Sequence, residues 1–271
     1  MNPLRFALFV KHWKNLSVAE MGDKVKSLGF DLIELPVRPG FACEPETVER
    51  DLPRVVQEFA DMGIDILGVT AANALDDERL YATCAELGIT QNRIMLRTGD
   101  MTYWDAEAKA RKELDAAVPL CEKYGVRIGI QNHKARFIAS SAIGLYHLLK
   151  DYDPKHIGAV WDPAHNALEG EEPELAIDVI APHIHFVNLK NGYWQRTNGP
   201  EAQEAQWQVH WTSGPHGRAS WPRVARKLKE VDYSGPFCFS AEHSDSDALE
   251  RLVVEDLAYA RSVFEEAGFT I

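Results

Sequence analysis

Short apolar runs recur along the chain, and several of them follow a segment with helical spacing that ends at a glycine. The phrase reads KSLGFDLIEL, ADMGIDILGV and EKYGVRIGIQ, and more loosely AELGITQNRIMLR. Gly29, Gly63, Gly88 and Gly125 stand where a helix C-cap needs a left-handed residue. The pattern predicts helices that stop at these glycines and pass directly into strands.

Eight strands are predicted from such runs, at residues 6–10, 31–36, 65–70, 93–97, 127–131, 157–162, 184–189 and 236–241. The seven segments between them and the C-terminal segment 247–267 are long enough to hold helices. Alternating strands and helices indicate parallel βαβ units, and eight units fit a single closed α/β barrel, a (β/α)₈ TIM barrel over residues 1–271. An open doubly wound sheet is less well supported, because no glycine-rich phosphate loop follows any strand.

Helix boundaries are marked as well. Ser17 to Glu20 form a capping box, and Asp51 is expected to cap a helix that has Pro53 in its first turn. The SWP run at 220–222 should open another helix, and Pro119 should kink the fourth helix or shift its boundary.

Composition narrows the class of partner. The chain has 41 acidic and 29 basic residues, a formal charge of −12 and no run of Lys or Arg, so nucleic acid is not an expected partner. The four cysteines lie far apart, which is typical of reduced thiols in a cytoplasmic protein. The apolar stretch near the N-terminus is too short for a signal sequence or a membrane span, so no membrane association is expected.

Polar side chains follow the predicted strands. In a barrel the carboxyl ends of the strands meet at one face, where active sites lie. Any single residue of this kind also has a simpler interpretation, as a cap for a loop or helix, but the set after strands five to eight favours a functional site. The side chains are Lys11, His12, Trp13, Glu34, Thr70, Arg97, Gln131, Asn132, His133, Asp162, His165, Asn188, Lys190, Glu242 and His243.

Two motifs carry the most specific chemistry. In WDPAHN (161–166), Asp162 closes an apolar strand and His165 follows three residues later, which suits a metal ligand beside a substrate hydrogen-bonder. In FSAEH (239–243), Glu242 supplies a second carboxylate. Two carboxylates from separate strands are suited to bind a hard divalent cation, or to act as base and anchor. The alternative for Asp162 is a turn that starts before Pro163.

Together with QNH at 131–133 and VNLKN at 187–191, these motifs resemble the xylose isomerase-like TIM barrels, the sugar phosphate isomerase/epimerase superfamily. The resemblance covers essentially the whole chain and includes DLIELPVRPG at the second strand. It implies a metal held by Glu, Asp, His and Glu after strands five to eight. Asp162 and Glu242 match that pattern, and His165 matches the family's substrate-binding histidine.

Two ligand positions depart from the family pattern. Gln131 stands where the first Glu is expected, Asn188 stands where the His is expected, and Asn191 replaces the Asp of the usual HLKD run. An amide oxygen coordinates hard cations but has no charge, so a divalent ion such as Mn²⁺ or Mg²⁺ should bind weakly unless a histidine compensates. The predicted metal ligands are Asp162, Glu242, Gln131 and Asn188, and the compensating candidates are His133, His185 and His216.

The connection after the seventh strand, residues 191–219, is unusually long and carries three tryptophans, which argues against disorder. Indole faces stack well on sugar rings, so this connection is predicted to form the wall of a carbohydrate pocket rather than a subunit contact. A homo-oligomer is a further possibility. The predicted substrate-binding residues are His165, Trp13, Trp194, Trp211, His216 and Arg218.

The resemblance and these residues predict an enzyme that removes a proton beside the carbonyl of a keto-sugar, polyol or cyclitol, in the isomerase or epimerase class. Because Gln131 has no titratable proton near neutral pH, a symmetric two-carboxylate epimerisation is not expected. Glu242 is the predicted base, with Lys190, His165 and His133 as acids or electrophiles. A dehydratase or β-eliminating lyase is the alternative, and a non-catalytic carbohydrate-binding or assembly protein is the third.

Overall fold

A closed barrel of parallel strands forms the centre of the computed structural model, which describes residues 3–271. The barrel strands are β1 (Phe6–Phe9), β2 (Leu32–Val37), β3 (Asp65–Ala71), β4 (Gln91–Ile94), β5 (Arg127–Gln131), β6 (Ile157–Trp161), β7 (Ile184–Leu189) and β10 (Phe237–Phe239). Between β7 and β10, β8 (Asn191–Arg196) and β9 (Trp207–Thr212) form a separate two-stranded sheet. β1 pairs with β2 on one side and with β10 on the other, which closes the sheet. The predicted (β/α)₈ barrel is confirmed.

Helices surround the barrel with their apolar faces turned inward. They are α1 (Val18–Ser27), α2 (Val48–Asp61), α3 (Glu78–Glu86), α4 (Tyr103–Tyr124), α5 (Ala142–Leu149), α6 (Pro163–Leu168), α7 (Pro173–Ile180), α8 (Trp221–Glu230) and α9 (Leu249–Glu266). In α2, for example, Leu52, Val55 and Phe59 recur at helical spacing and are fully buried. Pro119 lies inside α4, which continues past it to Tyr124. In the described part of the chain, no helix is both long and apolar enough to cross a membrane.

The helix ends follow the sequence signals closely, with one exception. The capping box of Ser17 and Glu20 is present, and α8 starts at Trp221 as the SWP run predicts. The expected cap at Asp51 is wrong, because α2 begins at Val48 and Asp51 lies in its first turn, bonded to Arg50. All four predicted C-cap glycines have positive φ angles, at Gly29, Gly63, Gly88 and Gly125.

The fourth strand lies earlier in the chain than predicted. It covers Gln91–Ile94 and pairs residue by residue with β5, whereas the apolar pattern placed it at 93–97. Arg93 therefore lies within the strand and points into the barrel, with 3% of its surface exposed. Arg97 lies beyond the strand, with its guanidinium carbon 4.4 Å from the centroid of the Phe137 ring. The apolar pattern missed the start of the strand because its first two residues, Gln91 and Asn92, are polar and yet buried.

His185 lies at the opposite end of the barrel from the carboxyl ends of the strands. Its Nε2 donates to the carbonyl of Pro154 at 2.7 Å. The imidazole packs over Gly158, where a Cβ would lie only 2.3 Å from Nε2. His185 therefore does not compensate for the amides at the predicted metal position.

Candidate active site

Five predicted site residues meet at the carboxyl-terminal face of the barrel. Gln131 ends β5, Asp162 follows β6, and Asn188 lies near the end of β7. Lys190 comes directly after β7, and Glu242 lies shortly beyond β10. Hydrogen bonds and ion pairs join all five in one network.

Asp162 is the fully buried centre of this network. Its Oδ1 accepts the backbone N–H groups of Ala164 at 3.0 Å and His165 at 3.2 Å, which caps α6. Its Oδ2 accepts the side-chain amides of Gln131 at 2.8 Å and Asn188 at 2.7 Å. Four N–H donors thus saturate the carboxylate and hold it in one orientation.

The two amides turn their nitrogens toward Asp162 because other groups occupy their oxygens. Oε1 of Gln131 accepts from Nη1 of Arg93 at 2.5 Å, and Oδ1 of Asn188 accepts from the hydroxyl of Ser240 at 2.9 Å. A carboxylate only accepts and a guanidinium only donates, so these contacts determine which way each amide faces.

Glu242 lies between two lysine ammonium groups. Oε1 accepts from Lys11, and Oε2 accepts from Nζ of Lys190 at 2.7 Å. Burial alone would raise the pKa of Glu242, but Lys190 and Lys11 hold the pKa well below its ordinary value. The carboxylate is therefore ionised at neutral pH, and with 22% of its side chain exposed it is open to the mouth of the barrel.

These donors do not fit a divalent metal ion in this structure. A hard cation needs carboxylate and carbonyl oxygens, whereas Gln131 and Asn188 direct N–H groups at Asp162. Nζ of Lys190 also lies 2.7 Å from Glu242 and 3.6 Å from Asp162, where its charge repels a cation. Across residues 3–271, no three His, Cys, Asp or Glu side chains are grouped to hold a metal. The four predicted ligands, Asp162, Glu242, Gln131 and Asn188, therefore lie in one network without presenting the set of oxygens that a divalent ion needs.

Two imidazoles and an indole border the network. The ring of His165 is fully buried, and within the described chain neither of its nitrogens has a hydrogen-bond partner. Burial and the charge of Lys190 lower the pKa of His165 well below its ordinary value, and burial likewise lowers the pKa of His133. The His165 ring centroid lies 3.9 Å from that of His133 and 5.5 Å from that of Trp211. A buried polar ring without a protein partner has hydrogen-bonding capacity left for a water molecule or a ligand.

A buried ion pair lies next to the site, and sequence reasoning missed one of its members. Nε and Nη2 of Arg93 donate to the two carboxylate oxygens of Glu34 at 2.7 and 2.5 Å. Glu34, which the sequence predicts at a strand end, lies within β2 and points into the barrel. Arg93 gave no signal beyond being a charge in an apolar run, because its partner is far away in sequence. The sequence places Lys11 after the first strand but gives no signal of its contact with Glu242.

The long connection after β7 contains the antiparallel hairpin of β8 and β9. Asn191 ties its base together: Nδ2 donates to the carbonyls of Gly214 and Ala219, and Oδ1 accepts the N–H of Ala219. Trp211, on β9, reaches the network, where its ring centroid lies 4.5 Å from Nζ of Lys190. Asn191 therefore holds the loop, and the hairpin delivers one indole to the site.

The other predicted substrate-binding residues lie further from the network. Trp194 donates to the carbonyl of Leu168 at 2.9 Å and, with Trp207 and Arg218, lines a hollow of about 530 Å³. Trp13 is buried in the core after β1, and His216 is exposed on a short 3₁₀ turn. Their roles in substrate binding stay predictions.

The family of the chain follows from comparison with known sequences. A sequence model of the xylose isomerase-like TIM barrel matches residues 23–263. The chain belongs to this family. No curated protein matches the sequence.

Solved structures with the same architecture cover nearly the whole chain. A D-psicose 3-epimerase from Clostridium cellulolyticum H10, solved with D-tagatose, is 13% identical at a TM-score of 0.71, covering 96% of this chain and 99% of its own. The 3-keto-D-glucoside 4-epimerase of E. coli is 11% identical at 0.73, with the same coverage. A xylose isomerase-like TIM barrel protein from Mycobacterium smegmatis, solved with magnesium, is 18% identical at 0.71, covering 98% and 97%. These likenesses establish the fold.

Proposed function

We propose that the chain is an isomerase or epimerase that removes the proton beside the carbonyl of a keto-sugar, polyol or cyclitol. The observation that carries the proposal is the ionised carboxylate of Glu242, held at the barrel mouth between Lys11 and Lys190. The epimerase activities named for two similar structures support the same substrate class.

Glu242 is the base in this proposal, and Lys190 is the acid. The carboxylate takes the proton from the carbon beside the carbonyl, and the C–H electron pair forms a carbon–carbon double bond. The carbonyl electrons move to its oxygen, which Lys190 protonates to give an enediol. Lys190 must therefore shift its hydrogen bond from Glu242 to the substrate, and this shift frees the base. Glu242 then returns its proton to the former carbonyl carbon while the hydroxyl on the adjacent carbon gives its proton to Lys190 and becomes the new carbonyl, which yields the isomer and restores both side chains.

The aromatic border positions the substrate. Neither ring nitrogen of His165 has a hydrogen-bond partner in the described chain, and in this proposal a substrate hydroxyl supplies one when the substrate enters. His133 packs against that ring, and Trp211 borders it on another side. The positive charge that the family resemblance assigns to a metal ion is supplied by Lys190.

A β-eliminating lyase is the second candidate, and one observation favours it. The N–H donors saturate Asp162, so Glu242 is the one carboxylate of the five-residue network that is proposed as a base. One base with one acid suits loss of a group β to the carbonyl as well as one-face isomerisation, whereas epimerisation needs a second proton donor on the opposite face.

Solvent exchange tests the proposal. The protein is incubated in D₂O with D-fructose, D-tagatose and a keto-inositol, and deuterium beside each carbonyl is followed by NMR. We expect exchange with at least one of them, and a loss of at least about a thousandfold in Glu242→Gln. Glu265→Gln, an exposed glutamate of α9, is the matched control.

The same spectra separate the alternatives. Deuterium in an isomerised or epimerised product supports the isomerase, whereas a conjugated product with loss of water supports the lyase. Sugar binding without exchange at any carbon contradicts both and identifies a binding protein. Unchanged exchange in Glu242→Gln removes Glu242 from the base role.

A further inference from the structure

A hollow of about 280 Å³ lies beside the candidate site, at the carboxyl ends of β2, β3 and β4. Its lining includes Arg38, Thr70, Asn73, Arg93 and Arg97, and Glu113 at its edge lies 3.7 Å from Lys109. The hollow is rich in guanidinium groups, although the whole chain has a net charge of −12.

Arg93 is paired with Glu34, whereas Arg97 and Arg38 have no ion-pair partner in the described chain. Arg97 lies over the Phe137 ring, and Arg38 is the one of these two that shares the Phe9 ring with Lys11. It follows β2 directly, and its backbone is held in a turn by bonds to Cys43 and Phe41. Its Nε donates to the carbonyl of Thr70 at 3.4 Å, and in the described chain no Asp or Glu forms an ion pair with it. The charge of Glu34 also reaches Arg38, but both oxygens of that carboxylate accept hydrogen bonds from Arg93.

The half-buried charge of Arg38 is electrostatically unfavourable when no anion is bound beside it. Burial and the neighbouring charge of Arg93 both lower the pKa of Arg38, although the group stays protonated. The two terminal nitrogens of its guanidinium are free, and together they match the two oxygens of a carboxylate or phosphate.

Arg38 is also within reach of the proposed reaction centre. Its guanidinium carbon and Nζ of Lys11 each lie 5.5 Å from the centroid of the Phe9 ring, so the two groups are separated by at most twice that distance. Lys11 in turn contacts Glu242. A six-carbon sugar with its carbonyl at Glu242 and an anionic group at its far end is compatible with this bound.

We propose that Arg38 binds the anionic terminal group of an acidic sugar, so that the substrate is a keto-sugar with a carboxylate or phosphate at the end distant from its carbonyl. This inference rests on the proposed function. It adds the chemical class of the substrate: Arg38 anchors the anion, while Glu242 and Lys190 act on the carbonyl end.

Calorimetric titration with three sugars that differ at C6 tests the inference. D-Fructose, D-fructuronate and D-fructose 6-phosphate carry a hydroxymethyl group, a carboxylate and a phosphate there. We expect one of the acidic sugars to bind about 10- to 100-fold more tightly than D-fructose, and the tighter of the two identifies the anion. Arg38→Met should abolish the preference for the acidic sugar. Arg38→Lys should retain part of this preference, because lysine keeps the charge but lacks the paired N–H donors of the guanidinium. Arg226→Met, an exposed arginine of α8, should keep it.

Similar binding of all three sugars, or a preference that persists in Arg38→Met, overturns the inference. Measurement of deuterium exchange on the same samples keeps the two proposals apart. Exchange of D-fructose without acid preference leaves the proposed function standing and removes the acidic substrate. Arg38-dependent binding of an acid without exchange supports the anion site and contradicts the proposed function.

Discussion

Replacement of Arg93 by methionine removes the cation of the buried ion pair beside the candidate site. Arg93 is 3% exposed and Glu34 is 1% exposed, and two hydrogen bonds join them. The same guanidinium donates to Gln131 and lies 4.4 Å from the Phe9 ring centroid. Methionine fills much of the space but leaves the Glu34 carboxylate buried without a cation.

The expected cost is large because a lone buried charge is far less stable than a pair. Loss of one partner of a buried ion pair costs about 3–5 kcal/mol. With a urea slope near 3 kcal/mol/M, at the top of the usual range, the unfolding midpoint of Arg93→Met should fall by roughly 1–1.7 M. The double variant Glu34→Leu, Arg93→Met removes both charges and leaves mainly the Gln131 oxygen unpaired, which costs about 1–3 kcal/mol.

Urea denaturation at pH 7, followed by far-ultraviolet circular dichroism, measures both variants against the native chain. The ordering expected is native, then double variant, then single variant. A loss below about 1 kcal/mol in Arg93→Met, or a double variant no more stable than the single one, would refute the reasoning that an unpaired buried charge dominates.

Two further predictions concern the amide position and the acid response. Gln131→Glu places a second carboxylate against Asp162, so in EDTA this variant should be less stable by about 1–3 kcal/mol, and Mn²⁺ should restore the stability. Calorimetry measures Mn²⁺ binding, with the exposed Gln208→Glu as the control. No Mn²⁺ binding to Gln131→Glu contradicts the prediction. Burial lowers the pKa of His185 to about 4 from 6.5, so its stabilising contribution is complete above pH 6.5 and falls by about 3 kcal/mol as the pH drops to 4. His185→Gln, which retains a donor for Pro154, should lose about that much less stability between pH 7 and 4 in urea titrations, and equal acid sensitivity of both proteins counts against this.

Local signals in the sequence determined the architecture. Gly29, Gly63, Gly88 and Gly125 marked helix ends because a left-handed backbone is easy only for glycine, and that requirement does not depend on distant contacts. Strand-length apolar runs between helices specified parallel βαβ units, and eight such units close into a barrel. The same logic placed Asp162, Lys190 and Glu242 at one face, where the structure joins them.

The tertiary structure alone decided what those residues do to one another. Arg93 and Glu34 are 59 residues apart, and Gln131 and Asp162 are 31 apart, so no local pattern records either contact. The direction of each amide depends on a donor from another strand, which only the closed barrel brings into place. Residue types at strand ends therefore identified where the chemistry lies. The tertiary contacts decided which groups are paired and how each one is oriented. Electrostatic and hydrogen-bond energies depend on distances between side chains, and the order of residues along the chain does not contain those distances.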